Sequence, residues 1–118
     1  MFYLHNRVYS LQYKGENTLM QFRFEDDDLR RLYEEPEFRL SGFGPGLTKA
    51  YRKLMGMVSA AVDERDLRGV KSLHFEKLQG DRAGQHSLKI KDQWRLVVTI
   101  ETIEKDKQVV VVEVIDYH

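Results

Sequence analysis

The sequence predicts an α+β fold in which two helices pack on one face of an antiparallel sheet. Three observations predict it. A β-rich run near the start leads into an acidic segment, a longer segment then carries apolar residues at helical spacing, and the last third consists of β-type runs separated by short polar turns. The predicted order is strand, helix, helix and three further strands (β-α-α-β-β-β).

The first strand is predicted at residues 18–24, which are rich in β-forming side chains. Residues 25–28 are all acidic and suit the positive N-terminus of a helix, with one of the early aspartates as its cap. Pro36 limits this helix, because the residue before a proline is pushed towards extended geometry. The apolar face of the helix consists of Leu29, Leu32 and Tyr33.

A second, longer helix is predicted after the glycine-rich residues 41–46. These residues lack the lysine and hydroxyl of a phosphate-binding loop, so we interpret them as a connection with Pro45 near the start of the helix. Apolar side chains then recur every three or four residues, which indicates a helix packing on a core. They are Leu47, Ala50, Tyr51, Leu54, Val58, Ala61 and Val62.

Three strands are predicted at residues 86–90, 94–101 and 109–115, and their short connections imply antiparallel neighbours. The last is almost wholly β-branched, which places it inside the sheet. Residues 1–19 are assigned to an N-terminal extension and residues 20–118 to the main domain. Within the extension, residues 7–13 either form an extra strand that folds back onto the first one or precede a natural start at Met20.

Composition points to a single domain of ordinary type: 118 residues, 14.0 kDa, 42% hydrophobic and 32% charged. The chain has no cysteine, which excludes disulfides and cysteine-bound zinc and fits a reducing cytoplasm. No apolar run is long enough for a membrane span, and the first residues do not resemble a signal peptide. We therefore expect a cytoplasmic protein without a membrane partner.

The net charge of zero conceals an uneven distribution. Residues 1–38 carry a net −3, residues 39–95 a net +6 and residues 96–118 a net −3. The middle of the chain therefore presents either a local basic face for nucleic acid or an ordinary solvated helix surface.

Residue types suited to acid–base chemistry without a metal gather in the C-terminal half. Asp116, Tyr117 and His118 directly follow the last predicted strand, and a histidine exchanges protons near neutral pH. Arg95, inside an apolar strand, needs an anion or acceptor: either an acidic partner such as Asp116 or Glu113, or a phosphate. The histidine spacings match no metal motif, so no metal or cofactor is expected.

These residues, taken together, resemble the HigB-type toxins of the RelE/ParE superfamily, also called plasmid-maintenance killer proteins. The resemblance covers about residues 20–118 in the expected order. It is carried by LQGDRAGQHS at residues 78–87, DQWRL at 92–96, VIDYH at 114–118, DLR at 66–68 and DLRRLY at 28–33.

The resemblance implies a ribosome-dependent mRNA endonuclease that uses the RNA 2′-hydroxyl and no metal. It implies that His118 exchanges protons, that Asp116 orients or charges it, and that Tyr117 stacks on or positions a base. Arg95 matches the family's strand arginine and is assigned to phosphate stabilisation. Either His74 or Lys77 is expected to serve as a further proton or phosphate partner. Residues expected to bind RNA are Arg82, Lys89 and Lys91.

The resemblance also implies partners: a cognate antitoxin, often of helix-turn-helix type, together with the ribosome and mRNA. Two alternatives stay open. One is a non-enzymatic poison of DNA gyrase, as in ParE-type members, although such a protein needs no acid–base tail. The other is an inactive relative that only binds an antitoxin.

Overall fold

The computed structural model describes residues 8–9, 13–14, 17–18, 20–104 and 106–117, with the backbone alone for those before Met20 and for Ile103. Its helices are α1 (Asp27–Glu34), α2 (Pro45–Ser59) and α3 (Glu64–Arg68), with 3-10 turns at Lys71–Leu73 and Gly80–Arg82. Its strands are β1 (Val8–Tyr9), β2 (Tyr13–Lys14), β3 (Asn17–Thr18), β4 (Gln21–Phe24), β5 (Glu76–Lys77), β6 (His86–Lys91), β7 (Trp94–Ile103) and β8 (Asp106–Asp116).

Six of these strands form one sheet in the order β1-β4-β8-β7-β6-β5. All neighbours are antiparallel except β4 and β8, which pair in parallel with Gln21 opposite Gln108. The predicted α+β class is confirmed. Helix α3, strand β5 and the parallel pair were not predicted from the sequence. Both helices of the predicted pair lie between β4 and β8, and a long connection of this kind permits a parallel arrangement.

The described part of residues 1–19 also contributes strands. Val8 and Tyr9 lie opposite Arg23 and Phe22 of β4, so an additional strand flanks the sheet there. The β2 and β3 strands form a separate two-stranded pair. The remaining residues of this segment lie outside the described part, and its treatment as an extension remains a prediction.

Helix α1 begins and ends as its sequence predicts. Asp26 is the N-cap, and its Oδ1 accepts a hydrogen bond of 3.0 Å from the backbone N–H of Leu29. The helix ends at Glu34, and Glu35 is extended immediately before Pro36. Leu29 and Leu32 are buried against the sheet.

Helix α2 starts at Pro45 but is shorter than its apolar pattern suggested. It ends at Ser59, and Ala61 is buried just beyond the end. The placement of Val62 on the core face was wrong, since 47% of this residue is exposed. Its backbone N–H donates to the Asp66 carboxylate at 2.8 Å, which turns the chain into α3 and interrupts the helical periodicity.

Strand β8 lies between β4 and β7, which confirms the prediction that the β-branched strand is internal. Residues 108–111 are buried in succession, so both faces of the sheet are covered there. The main core fills the space between this sheet and α1, α2 and α3. None of the described helices is long and apolar enough to cross a membrane.

Candidate functional site

Arg95 is a buried arginine near the start of β7, with only 6% of its surface exposed. Its neighbour Leu96 belongs to the core beneath the helices, so Arg95 points to the opposite face of the sheet. Its cross-strand neighbours are Lys89 on β6 and Ile115 on β8. The sheet therefore places the Arg95 guanidinium next to the C-terminal end of β8.

Acceptors on two neighbouring segments orient the Arg95 guanidinium. Nε donates to the Ser87 hydroxyl at 3.0 Å, while Nη2 donates to the carbonyls of Ser87 at 3.3 Å and of His74. The carboxylate of Glu76 lies 3.9 Å from Nη2. Arg95 therefore has an acidic neighbour, as one of the two alternatives expected, but this neighbour is Glu76 rather than Asp116 or Glu113.

The two carboxylates expected beside Arg95 lie elsewhere. Glu113 bonds to Arg82 instead. Asp116 is the cross-strand neighbour of Trp94, and successive residues of a strand face opposite sides, so Asp116 lies on the other face from Arg95. The sequence showed that Arg95 needs an acceptor, but the register decides which acceptor it meets.

Tyr117 is attached to the sheet immediately after β8. Its backbone N–H donates to the Gln93 carbonyl at 2.7 Å, and its half-exposed ring lies 5.5 Å from the Arg95 guanidinium carbon. This distance is within cation–π range. The sheet therefore holds the C-terminal segment as far as Tyr117. His118 lies outside the described residues.

His74 and Lys77 are the two alternatives for an additional proton or phosphate partner. His74 precedes β5, and Lys77 is the last residue of that strand. His74 has a left-handed backbone (φ 45°), which is uncommon for a residue other than glycine, and its carbonyl accepts a hydrogen bond from Arg95. Lys77 is exposed on β5, opposite His86. His74 thus contacts Arg95 through its backbone, whereas Lys77 lies beside a different histidine.

The loop between β5 and β6 contains the glycine-rich motif that carried part of the resemblance. Gly80 and Gly84 have φ values of 64° and 94°, conformations that side chains with a Cβ disfavour. Between them, Arg82 donates from Nη1 to Gln85 at 2.9 Å and pairs through Nη2 with Glu113 of β8. The motif therefore ties the loop to the face of the sheet that carries Arg95.

The surroundings of His86 change the titration of its imidazole. Its ring stacks on Phe75 with centroids 4.9 Å apart, and its buried Nδ1 has no hydrogen-bond partner among the described residues. Burial, aided by the charges of Lys77 and Arg68, lowers the pKa of His86 below its usual range.

No group of three His, Asp or Glu side chains suited to a metal occurs within the described residues.

A cleft of about 630 Å³ lies between α2, residues 72–74 and the outer edge of β6. Lys89 and Lys91, expected to bind RNA, both line it, whereas Arg82 does not. Lys49 and Lys53 of α2 also line it. These two lysines were not predicted from the sequence, because lysines on the polar side of a helix resemble an ordinary solvated surface.

These observations define a small α+β protein with a buried, oriented arginine beside an exposed tyrosine and a lysine-lined cleft. A family model described as the RelE-like toxin of the type II toxin-antitoxin system HigB matches residues 22–118. The chain therefore belongs to the HigB-like toxin family, and that family implies an antitoxin partner. Comparison with curated proteins gives no match.

Proposed function

We propose that this toxin is a ribosome-dependent mRNA endonuclease that cuts RNA through the RNA's own 2′-hydroxyl without a metal ion. RelE-like toxins are generally endoribonucleases, which supports the reaction class. The single observation that carries the proposal is Arg95, a buried guanidinium oriented by Ser87 and the His74 carbonyl and adjacent to the exposed Tyr117 ring. Such an arrangement suits a flexible anionic strand with exposed bases.

The proposed reaction needs two proton transfers and stabilisation of one developing charge. The 2′-oxygen bonds to the adjacent phosphorus and loses its proton to a base, while the bond to the 5′-oxygen breaks and an acid protonates that leaving group. The products are a 2′,3′-cyclic phosphate and a free 5′-hydroxyl. Negative charge increases on the phosphate in the transition state, so an oriented cation there accelerates the reaction.

Arg95 is assigned to phosphate stabilisation because its position is already set by its hydrogen bonds, so little reorganisation accompanies charge development. Tyr117 is assigned to stacking on a base, since about half of its surface is exposed while its backbone is hydrogen-bonded. His118 is assigned to proton transfer and Asp116 to its orientation or charge. His74 or Lys77 is the additional proton or phosphate partner.

Binding of the RNA strand is assigned to Lys89, Lys91 and Arg82. Lys89 lies directly across from Arg95, so a phosphate held by one is within reach of the other. Since each neutralised phosphate releases counterions, binding should weaken as salt increases. Since bacterial translation takes place in the cytoplasm, we propose that the toxin acts there. We also propose that its antitoxin is of helix-turn-helix type.

The test is inducible expression in bacterial cells without the antitoxin, comparing the wild type with His118→Ala. His5→Ala is the matched control, because His5 lies outside the family match. Cut sites are mapped on one translated and one untranslated reporter transcript. We expect growth arrest and cuts confined to the translated transcript, both lost in His118→Ala and retained in His5→Ala.

Other outcomes separate the alternatives. Arrest with DNA-damage signalling and no RNA cuts would indicate a gyrase poison, and a lack of arrest would indicate an inactive relative. Continued killing by a folded His118→Ala protein would contradict the assigned role of His118.

A further inference from the structure

The cleft beside α2 combines an apolar floor with a cationic rim. Leu54 and Met57 of α2 and Ile90 of β6 line the floor, and the rim is formed by lysines from the same two elements. With about 630 Å³, the cleft has room for several side chains of a bound molecule.

The rim lysines are available for an external anion. They are Lys49, Lys53, Lys89 and Lys91, and no lining residue is acidic. Across residues 20–104 and 106–117, no carboxylate forms an ion pair with any of the four. The cleft is therefore a concentration of positive charge without internal compensation, which attracts negatively charged partners.

One side of the cleft is also an open strand edge. The ladder between β5 and β6 includes only His86 and Ser87 of β6. Within the described part of the chain, no strand pairs with residues 88–91 on that side. An extended segment in the cleft would therefore find backbone hydrogen-bonding groups as well as lysines.

We propose that this cleft binds an extended, acidic and amphipathic segment of the antitoxin. Carboxylates of the segment pair with the rim lysines while its apolar side chains contact the floor. RNA fits the cleft less well, since its lining includes no arginine fork for phosphate and no Phe, Tyr or Trp ring for base stacking. Those groups occur instead at Arg95 and Tyr117.

Docking here gives the antitoxin a direct route to neutralisation, a step that rests on the proposed RNA-cleaving function. Lys89 lines the cleft and is also the cross-strand neighbour of Arg95. His74 lines the cleft, and its carbonyl orients the Arg95 guanidinium. A bound segment therefore occupies Lys89 and covers His74, so antitoxin and RNA compete.

The test compares three single charge reversals of equal size: Lys49→Glu, Lys53→Glu and Lys71→Glu. Lys49 and Lys53 are exposed on the rim, whereas the exposed Lys71 does not line the cleft. Each purified toxin is titrated with fluorescent full-length antitoxin from the same operon and, separately, with a short single-stranded RNA. Circular dichroism and thermal melting verify folding, and Lys53→Gln provides a milder variant.

We expect Lys49→Glu and Lys53→Glu each to weaken antitoxin binding about tenfold at low salt, Lys53→Gln to weaken it less, and Lys71→Glu to leave it unchanged. Direct RNA binding should change little in all four variants. Equal antitoxin affinity in Lys53→Glu and Lys71→Glu would overturn the proposal, as would a selective loss of RNA binding in the rim variants. Both titrations measure binding, so they remain informative even if the toxin cleaves no RNA.

Discussion

The guanidinium carbon of Arg95 lies 5.5 Å from the centre of the Tyr117 ring. One partner is buried and hydrogen-bonded from below, and the other is half exposed at the end of the sheet. A buried cation therefore contacts a partly exposed aromatic ring immediately after the end of β8.

Replacing Arg95 by lysine should greatly reduce RNA cleavage. An ammonium group cannot reproduce the planar fork that bonds the Ser87 hydroxyl and the His74 carbonyl, so the charge loses its fixed direction. We expect cleavage to fall about 100-fold or more. The free energy of unfolding should fall by about 1–3 kcal/mol, because buried acceptors lose their donor. Cleavage assays on translating ribosomes and urea unfolding measure the two effects.

Arg65→Lys is the matched control for Arg95→Lys. Arg65 is exposed and pairs locally with Asp63, so its replacement should leave cleavage unchanged. Equal cleavage by the Arg95→Lys and wild-type proteins would refute phosphate stabilisation by Arg95.

Two substitutions at Tyr117 separate its ring from its hydroxyl. Phenylalanine keeps the ring face over Arg95 and the surface for stacking, so Tyr117→Phe should bind RNA within about twofold of the wild type. Tyr117→Ala should weaken RNA binding by roughly tenfold or more, as expected for loss of one stacked base. Fluorescence titration with short single-stranded RNA makes the comparison. A similar loss in both variants would assign the role to the hydroxyl instead.

Glu113→Gln should strengthen RNA binding. The substitution removes the anionic partner of Arg82 and leaves that arginine free for phosphate. We expect tighter binding and a steeper dependence on salt, with stability changed by no more than about 1 kcal/mol because the ion pair is partly exposed.

Glu101→Gln, which alters a carboxylate paired with Arg23, gives the same change in net charge and is the control for Glu113→Gln. Equal tightening in both variants would indicate a general charge effect rather than release of Arg82.

His86 should make the folded state less stable in mild acid. The pKa of His86 is lowered in the folded state, so the unfolded chain binds a proton first as pH falls below about 6.5. This contribution destabilises the fold progressively as pH decreases from there towards the folded-state pKa. His86→Phe keeps the stacking on Phe75 and removes the titration, so it should lose less stability between about pH 7 and about pH 5.5.

Urea unfolding of both proteins across that pH range measures this difference. At about pH 8 the imidazole is neutral in both states, which provides the reference. Parallel stability curves for the wild type and His86→Phe would assign the acid sensitivity to other groups.

Local features of the fold were predictable because neighbouring residues determine them. The Asp26 cap, the end of α1 before Pro36 and the start of α2 at Pro45 each depend on a few adjacent residues. The internal position of β8 follows from its composition. The parallel pairing of β4 with β8 was not predictable in this way, because the pattern of either strand alone does not specify its neighbour.

The candidate site shows the same division. The residue types at Arg95 and Tyr117 suggested its chemistry, and the resemblance assigned their roles, which stay predictions. The hydrogen bond from Arg95 to the His74 carbonyl could not be predicted from the sequence, because a backbone carbonyl is present at every residue. The cleft lysines of α2 were missed for a related reason, since their significance depends on the strand edge they face.

The parallel pair has a consequence for how the toxin is made. Strand β4 is near the beginning of the described chain, and its neighbour β8 is almost at the end. A ribosome must therefore synthesise the chain through residue 111 before this central pairing can form, and such distant contacts form slowly. The same terminal strand leads directly into Tyr117. A nascent chain that stops short of β8 therefore lacks the central strand pairing and Tyr117 together.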